Sequence, residues 1–136
     1  LDGKAAGLHC AEAARALNIS KGTLLRLLRE APELEGSWDF VGSESKRRVF
    51  SLQDVVKIYE RRSGRTYDYQ RREYVDRRNI PAFEERLGLY ALGVFVSDPD
   101  RASLLEQIEP LAERHAVVRE TLQAYQERDL LPSAGP

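Results

Sequence analysis

Residues 11–28, A-E-A-A-R-A-L-N-I-S-K-G-T-L-L-R-L-L, decide how the front of this chain folds. The first seven are strong helix formers. Asn18 follows, a residue that tolerates the left-handed conformation by which a chain leaves a helix sharply. Ile19 gives the turn one apolar anchor, and Ser20 caps a second helix by accepting from the amide of Gly22 or Thr23. From Lys21 to Glu30, Leu24, Leu27 and Leu28 recur at helical steps and form one buried stripe. Two short helices with Ala13, Ala14, Leu17, Ile19, Leu24 and Leu27 turned inward make a helix-turn-helix. The alanines let the two axes cross closely.

The following segment adds a hairpin and a third helix. Pro32 cannot donate the next helical hydrogen bond and ends the second helix. Trp38-Asp39-Phe40-Val41 reads as a short strand, residues 42–45 as a turn, and residues 46–50 as the returning strand. Basic residues therefore sit at and after the hairpin tip. A hairpin this short needs an apolar anchor, so Trp38, Phe40 and Phe50 are expected in the core and not stacked on bases. Ser51 and Asp54 approximate a capping box that opens a helix over residues 52–62, with Leu52, Val55, Val56 and Tyr59 inward.

Helix-turn-helix, basic hairpin, then R-x-F-S-x-x-D into a helix (Arg48, Phe50, Ser51, Asp54) resembles the winged DNA-binding domain of the MerR family. The likeness covers residues 8–62 and is to the module shared with plasmid-partition and chromosome-anchoring proteins, not to the metal-sensing members. Leu25 stands where the family often has Arg, and Leu27-Leu28-Arg29 where its second helix usually continues into Tyr-Tyr-Glu. The resemblance implies that the second helix enters the major groove while the hairpin touches the phosphate backbone beside it. Ser20, Lys21, Gly22 and Thr23 would then form the groove-facing turn, whose free amides favour a phosphate. Gly22 would let the DNA backbone come close. Arg26, one turn on, either reads a guanine edge or neutralises Glu30 at i,i+4. Lys46, Arg47 and Arg48 would hold phosphates, with one of the three structural because strand neighbours alternate sides.

Composition narrows the function further. Of 136 residues, 21 are Lys or Arg and 22 Asp or Glu, a net charge of −1. That balance conceals a split: residues 1–78 carry 16 basic and 12 acidic side chains, residues 79–136 carry 5 and 10. Opposite-sign halves point to a polyanion-facing front and a rear that faces solvent or a partner. One cysteine excludes an intrachain disulfide. His9 and Cys10 are adjacent, chelate one ion poorly and are too few for a metal site. No phosphate loop, catalytic triad or ligand cluster is present, so we expect neither an enzyme nor a cofactor. No run of 18 apolar residues spans a membrane. The opening Leu1-Asp2-Gly3-Lys4 lacks a signal-peptide pattern, and the missing Met leads us to expect a trimmed start and a cytoplasmic location.

The rear half reads as an assembly device. Residues 63–66 break the third helix, and residues 67–79 form a polar linker, read as a helix lying on DNA or on another subunit. Pro81 begins a short helix over residues 82–87. Residues 87–96, LGLYALGVFV, are the most apolar run and fit a buried strand or a helix equally. Asp98 then caps a helix with Pro99 at its first position. Leu104, Ile108, Leu111, His115, Val118, Leu122 and Tyr125 follow at spacings 4, 3, 4, 3, 4, 3, a coiled-coil seam that Pro110 should kink or split. His115 on the seam is either a pH- or ligand-sensing group or a residue paired in a dimer. An uncovered seam favours self-association; a helical hairpin within one chain is the competing reading. Residues 130–136 form a frayed tail.

The expectation is therefore a mainly α chain with a small β-hairpin wing. A winged helix-turn-helix occupies residues 1–66, and a helical dimerisation or interaction region residues 67–136. Its function would be sequence-specific binding of double-stranded DNA by a dimeric, nucleoid-associated transcriptional regulator, with the acidic rear half free to recruit a protein partner. The alternatives are a nucleoid, partition or phage DNA organiser, and a winged-helix protein–protein adaptor that binds no DNA. Sensing of an apolar effector by the rear segment is a further alternative.

Overall fold

The computed structural model describes residues 7–34, 37–41, 45–62, 65–76 and 79–128. In chain order they form β1 (Leu8–His9), α1 (Cys10–Leu17), α2 (Lys21–Glu30), a 3-10 turn (Pro32–Leu34), β2 (Ser37–Val41), β3 (Ser45–Phe50) and α3 (Leu52–Arg61). A second hairpin, β4 (Arg65–Asp68) and β5 (Glu73–Asp76), precedes α4 (Ile80–Ser97), α5 (Ala102–Arg114) and α6 (Ala116–Glu127). The chain is mainly helical with small antiparallel sheets.

The front follows its local chemistry closely. Asn18 closes α1 at φ 58°, ψ 44°. Ser20 caps α2, its Oγ accepting from the Thr23 amide at 3.1 Å. Ser51 and Asp54 close the capping box of α3, amide to side chain in both directions at 3.0 and 3.2 Å. Ala13, Ala14, Leu17, Leu24 and Leu28 are buried, while Ile19 and Leu27 are half-buried against them. On α3 the buried residues are Leu52, Val55 and Ile58, with Val56 and Tyr59 half-buried beside them. One strand was not read from the sequence. The two residues of β1 pair with β3, Leu8 opposite Phe50 and His9 opposite Val49, so the sheet has the order β1-β3-β2.

The rear departs from the sequence reading at several places. The polar stretch expected as a linker helix is instead the β4–β5 hairpin, with Tyr67 opposite Tyr74 and Thr66 opposite Val75. The β-branched and aromatic residues Thr66, Tyr67, Tyr74 and Val75 favour that outcome over a helix. The expected division after residue 66 falls inside β4. The apolar run 87–96 is helical throughout, part of an 18-residue α4 that begins at Ile80 rather than at residue 82. Leu87, Gly88, Ala91, Leu92 and Phe95 of that run are buried. Asp98 closes α4 instead of opening the next helix, which starts only at Ala102. Pro110 is accommodated inside α5, and the break comes at His115, which separates α5 from α6.

That break removes the argument for a dimer through the seam. Leu104, Ile108, Leu111 and Val118 are 0 to 4% exposed within a single chain. Leu122 and Tyr125 pack, half-buried, against the same core. His115 is bonded within the chain, its Nε2 3.0 Å from Glu84 Oε1, and Arg114 donates to Glu84 Oε2 at 2.9 Å. The 4, 3 spacing is thus the inner face of two consecutive helices covering α4. Gly88 makes this possible: a Cβ there would lie 2.9 Å from Val118 Cγ2, so α6 can approach only because the position is bare. Gly93, five residues on, would meet nothing within 4 Å.

Front and rear share one core, with α4 packed on α1 and α3 as well as on α5 and α6. Tyr59 of α3 stacks on Phe83 of α4 with ring centroids 4.1 Å apart, and its hydroxyl accepts from the Asn79 amide at 3.1 Å. Gln107 of α5 accepts from the Leu52 amide at 2.8 Å, satisfying a first-turn donor of α3. Arg101 is 5% exposed and grips Glu12 of α1 with both terminal nitrogens, at 2.7 and 2.8 Å. It donates as well to the Gly7 carbonyl. Burial pushes the Glu12 carboxyl up, but the Arg101 hydrogen bonds, the His9 amide and the charges of Arg101 and His9 outweigh it and hold it below its ordinary value.

Two predictions follow from this packing. A carboxylate held low adds stability that is complete above the ordinary Glu value, about 4.3, and is lost as pH falls through the folded-state value. Arg101→Ala should cost about 3–5 kcal/mol by leaving a buried charge unpaired, and Glu12→Gln should flatten the acid limb of the stability–pH curve below about pH 5. Denaturant unfolding followed by circular dichroism across pH reads both effects. The same assay separates the two glycines of α4. Gly88→Ala should destabilise by about 1–3 kcal/mol through overpacking, whereas Gly93→Ala should stabilise by about 0.5–1 kcal/mol.

Candidate nucleic-acid interface

The amino-terminal turn of α2 stands in solvent. Lys21, Gly22, Leu25, Arg26 and Arg29 are all exposed, and Thr23 is half-buried beside the exposed Ser20. These positions share one helix face because Leu24 and Leu28 turn the opposite side into the core. Ser20 is tied up locally, its hydroxyl 2.9 Å from Thr23 Oγ1 as well as capping the Thr23 amide. The amides of Lys21 and Gly22 belong to the first helical turn, where no carbonyl of the same helix answers them.

Two residues of this face escaped the sequence reading. Leu25 is 37% exposed, and Arg29 lies one turn beyond it. The signal is present in the four-residue steps from Lys21 to Leu25 to Arg29, which run along the helix beside the leucine stripe. Leu25 was noted only as a departure from a pattern, and an apolar residue on a basic face draws no attention in a charge count.

Among the described residues nothing requires Gly22 to be glycine, and a Cβ there would meet only Ser20 Oγ, at 3.9 Å. A glycine inside a helix is disfavoured against alanine, and neither a close neighbour within the chain nor a left-handed backbone explains this one.

The hairpin brings a further cation near the start of α1. Arg48 of β3 is half-buried, in register with Trp38 of β2. The Cys10 thiol at the start of α1 reports the arrangement: burial pushes it up, while the positive charges of Lys21 and Arg48 both pull it down. One sulfur atom therefore lies within electrostatic reach of α2 and of β3. The side chains of Lys46, Arg47, Trp38 and Phe40 lie outside the described residues, as does the turn at 42–44. Phe50 is fully buried, as expected.

A cavity of about 660 Å³ opens between α3 and α5, lined by Leu52, Val56, Lys57, Glu84, Gln107 and Leu111 among others. None of the basic residues singled out on α2 or β3 lines it. Among the described residues, no three His, Cys, Asp or Glu side chains gather as a metal site. No helix among them is long and apolar enough to cross a membrane. No family model matches the chain, and no curated protein or solved structure matches it.

Cap and glycine should respond oppositely to alanine. Ser20→Ala is expected to lower unfolding stability by about 1 kcal/mol by freeing the Thr23 amide. Gly22→Ala is expected to raise it by a few tenths up to about 1 kcal/mol. Thermal and urea melts of the two variants check the pair.

Proposed function

We propose that this chain binds double-stranded DNA through a winged helix-turn-helix, with α2 in the major groove and the β2–β3 hairpin against the phosphate backbone. The observation that supports the reading is the exposed basic face of α2, Lys21, Arg26 and Arg29, next to a hairpin whose Arg48 acts together with Lys21 on the Cys10 thiol. Cations from the helix that would enter the groove and from the hairpin that would flank it would then meet the same duplex. A duplex presents about one negative charge per 1.7 Å of its axis, and such a surface releases condensed counterions on docking.

The roles divide by chemistry. Lys21 and Arg29 neutralise phosphates, with Lys46, Arg47 and Arg48 of the hairpin. Arg26 offers its planar fork to a guanine edge, and Leu25 beside it offers an apolar contact to a thymine methyl. Gly22 leaves room for the sugar–phosphate backbone, which supplies the reason for a glycine that folding does not require.

The same surface would serve an operator-reading regulator or an organiser that binds without regard to sequence. We favour the regulator, placed on the nucleoid, because Leu25 and Arg26 give the exposed face an apolar and a bidentate group suited to base edges. A protein–protein adaptor is the reading of a different class, and a salt titration distinguishes it.

With about five phosphate contacts, log affinity for a duplex should fall with log salt at a slope near −4 or −5. Lys21→Ala with Arg26→Ala should abolish retention at moderate salt while the helical circular-dichroism spectrum stays unchanged. Binding that ignores salt, or retention unaffected by the double substitution, would overturn this binding mode, and a chain not retained on a duplex even at low salt would favour the adaptor.

A further inference from the structure

The β4–β5 hairpin ends in the tip Tyr69-Gln70-Arg71-Arg72, two of whose features stand out. Arg72 has φ 56°. Among the described residues only Asn18 shares a positive φ without being glycine. Asn suits that region because its short side chain hydrogen-bonds locally; an arginine gains nothing there, and Gly or Asn is the residue a hairpin normally places at such a position. Arg72 is nevertheless present, and exposed.

Tyr69 is the second feature. It is 84% exposed, against 37% for Leu25 and 42% for Val117, the other large apolar side chains left in water among the described residues. Arg71 lies between the two, also exposed, with Glu73 Oε1 at 2.9 Å from its Nη2. A pair so open to solvent is weak and yields readily to a stronger anion.

We propose that this tip is a second nucleic-acid contact, an arm in which Arg71 and Arg72 meet phosphates and the Tyr69 ring lies on the sugar–phosphate backbone. The proposal rests on the DNA-binding reading above and extends its footprint. Charge selects a polyanion over a protein: residues 65–78 hold five arginines and three acidic residues.

The test uses the whole chain, a fluorescent mixed-sequence duplex of about three helical turns, and the double variant Tyr69→Ser/Arg72→Gly. Glycine relieves the left-handed backbone, and a side chain as exposed as Tyr69 adds little to stability, so the melting temperature should hold or rise. Affinity measured by anisotropy should fall several-fold, and the salt slope should become shallower by about 1, the loss of one phosphate contact. A lower melting temperature would make these side chains structural and overturn the inference. Unchanged affinity and slope, on a wild-type chain that binds the duplex, would overturn this inference and leave the DNA-binding reading standing. A wild-type chain that does not bind the duplex would remove that reading and this one together.

Discussion

Helix α4 is the constraint on which the rest of the structure depends. Its 18 residues present buried side chains to several sides at once, and such a helix is stable in water only when its neighbours enclose it. Helices α5 and α6 cover it from the rear and α1 and α3 from the front. Each half alone would bury only a modest share of its surface, and a shared core is the more stable solution. Consequently the front helices are not a free module on a tether. Their orientation is set by the same packing that buries Phe83, Leu87, Ala91 and Phe95.

Arg101 turns that packing into a defined geometry. Apolar contacts are non-directional and tolerate sliding, whereas a two-pronged arginine–carboxylate pair fixes both position and angle. By holding Glu12 and the Gly7 carbonyl, Arg101 fixes the start of α1, and through the Asn18 turn it fixes the direction of α2. The exposed face of α2 is therefore presented by a rigid support, which is what a surface that must match the spacing of a double helix needs. The front carries the excess of basic side chains, and the rear, with its acidic excess, encloses α4.

Local signals in the sequence were strong wherever a single residue type has one good use. Asn18, Ser20, and the pair Ser51 and Asp54 gave the helix ends of the front half because capping and left-handed turns are short-range chemistry. The rear was harder because its signals are shared by different structures. Leucines at 4, 3 spacing mark a coiled coil between two chains or helices folded onto a third in the same chain, and only the fate of α4 separates the two. Residues 87–96 fit strand and helix alike until α5 and α6 surround them. Glu12 and Arg101 stand 89 positions apart, so no window of sequence could pair them. The strand β1 is two residues long and exists only because β3 has a free edge to offer. At the candidate interface the charged residues were legible from composition and spacing. Leu25 and Arg29 emerged only once the buried face of α2 was known.

The central claim is that α2 and the adjoining strand β3 form one duplex-binding surface on a body that the rear helices complete. Backbone amide shifts in a ¹⁵N-labelled chain titrated with duplex DNA test it most directly. The account predicts that the signals of residues 20–29 and those around Arg48 move together, while the amides of α5 and α6 stay in place. Movement confined to α5 and α6, with α2 silent, would contradict it.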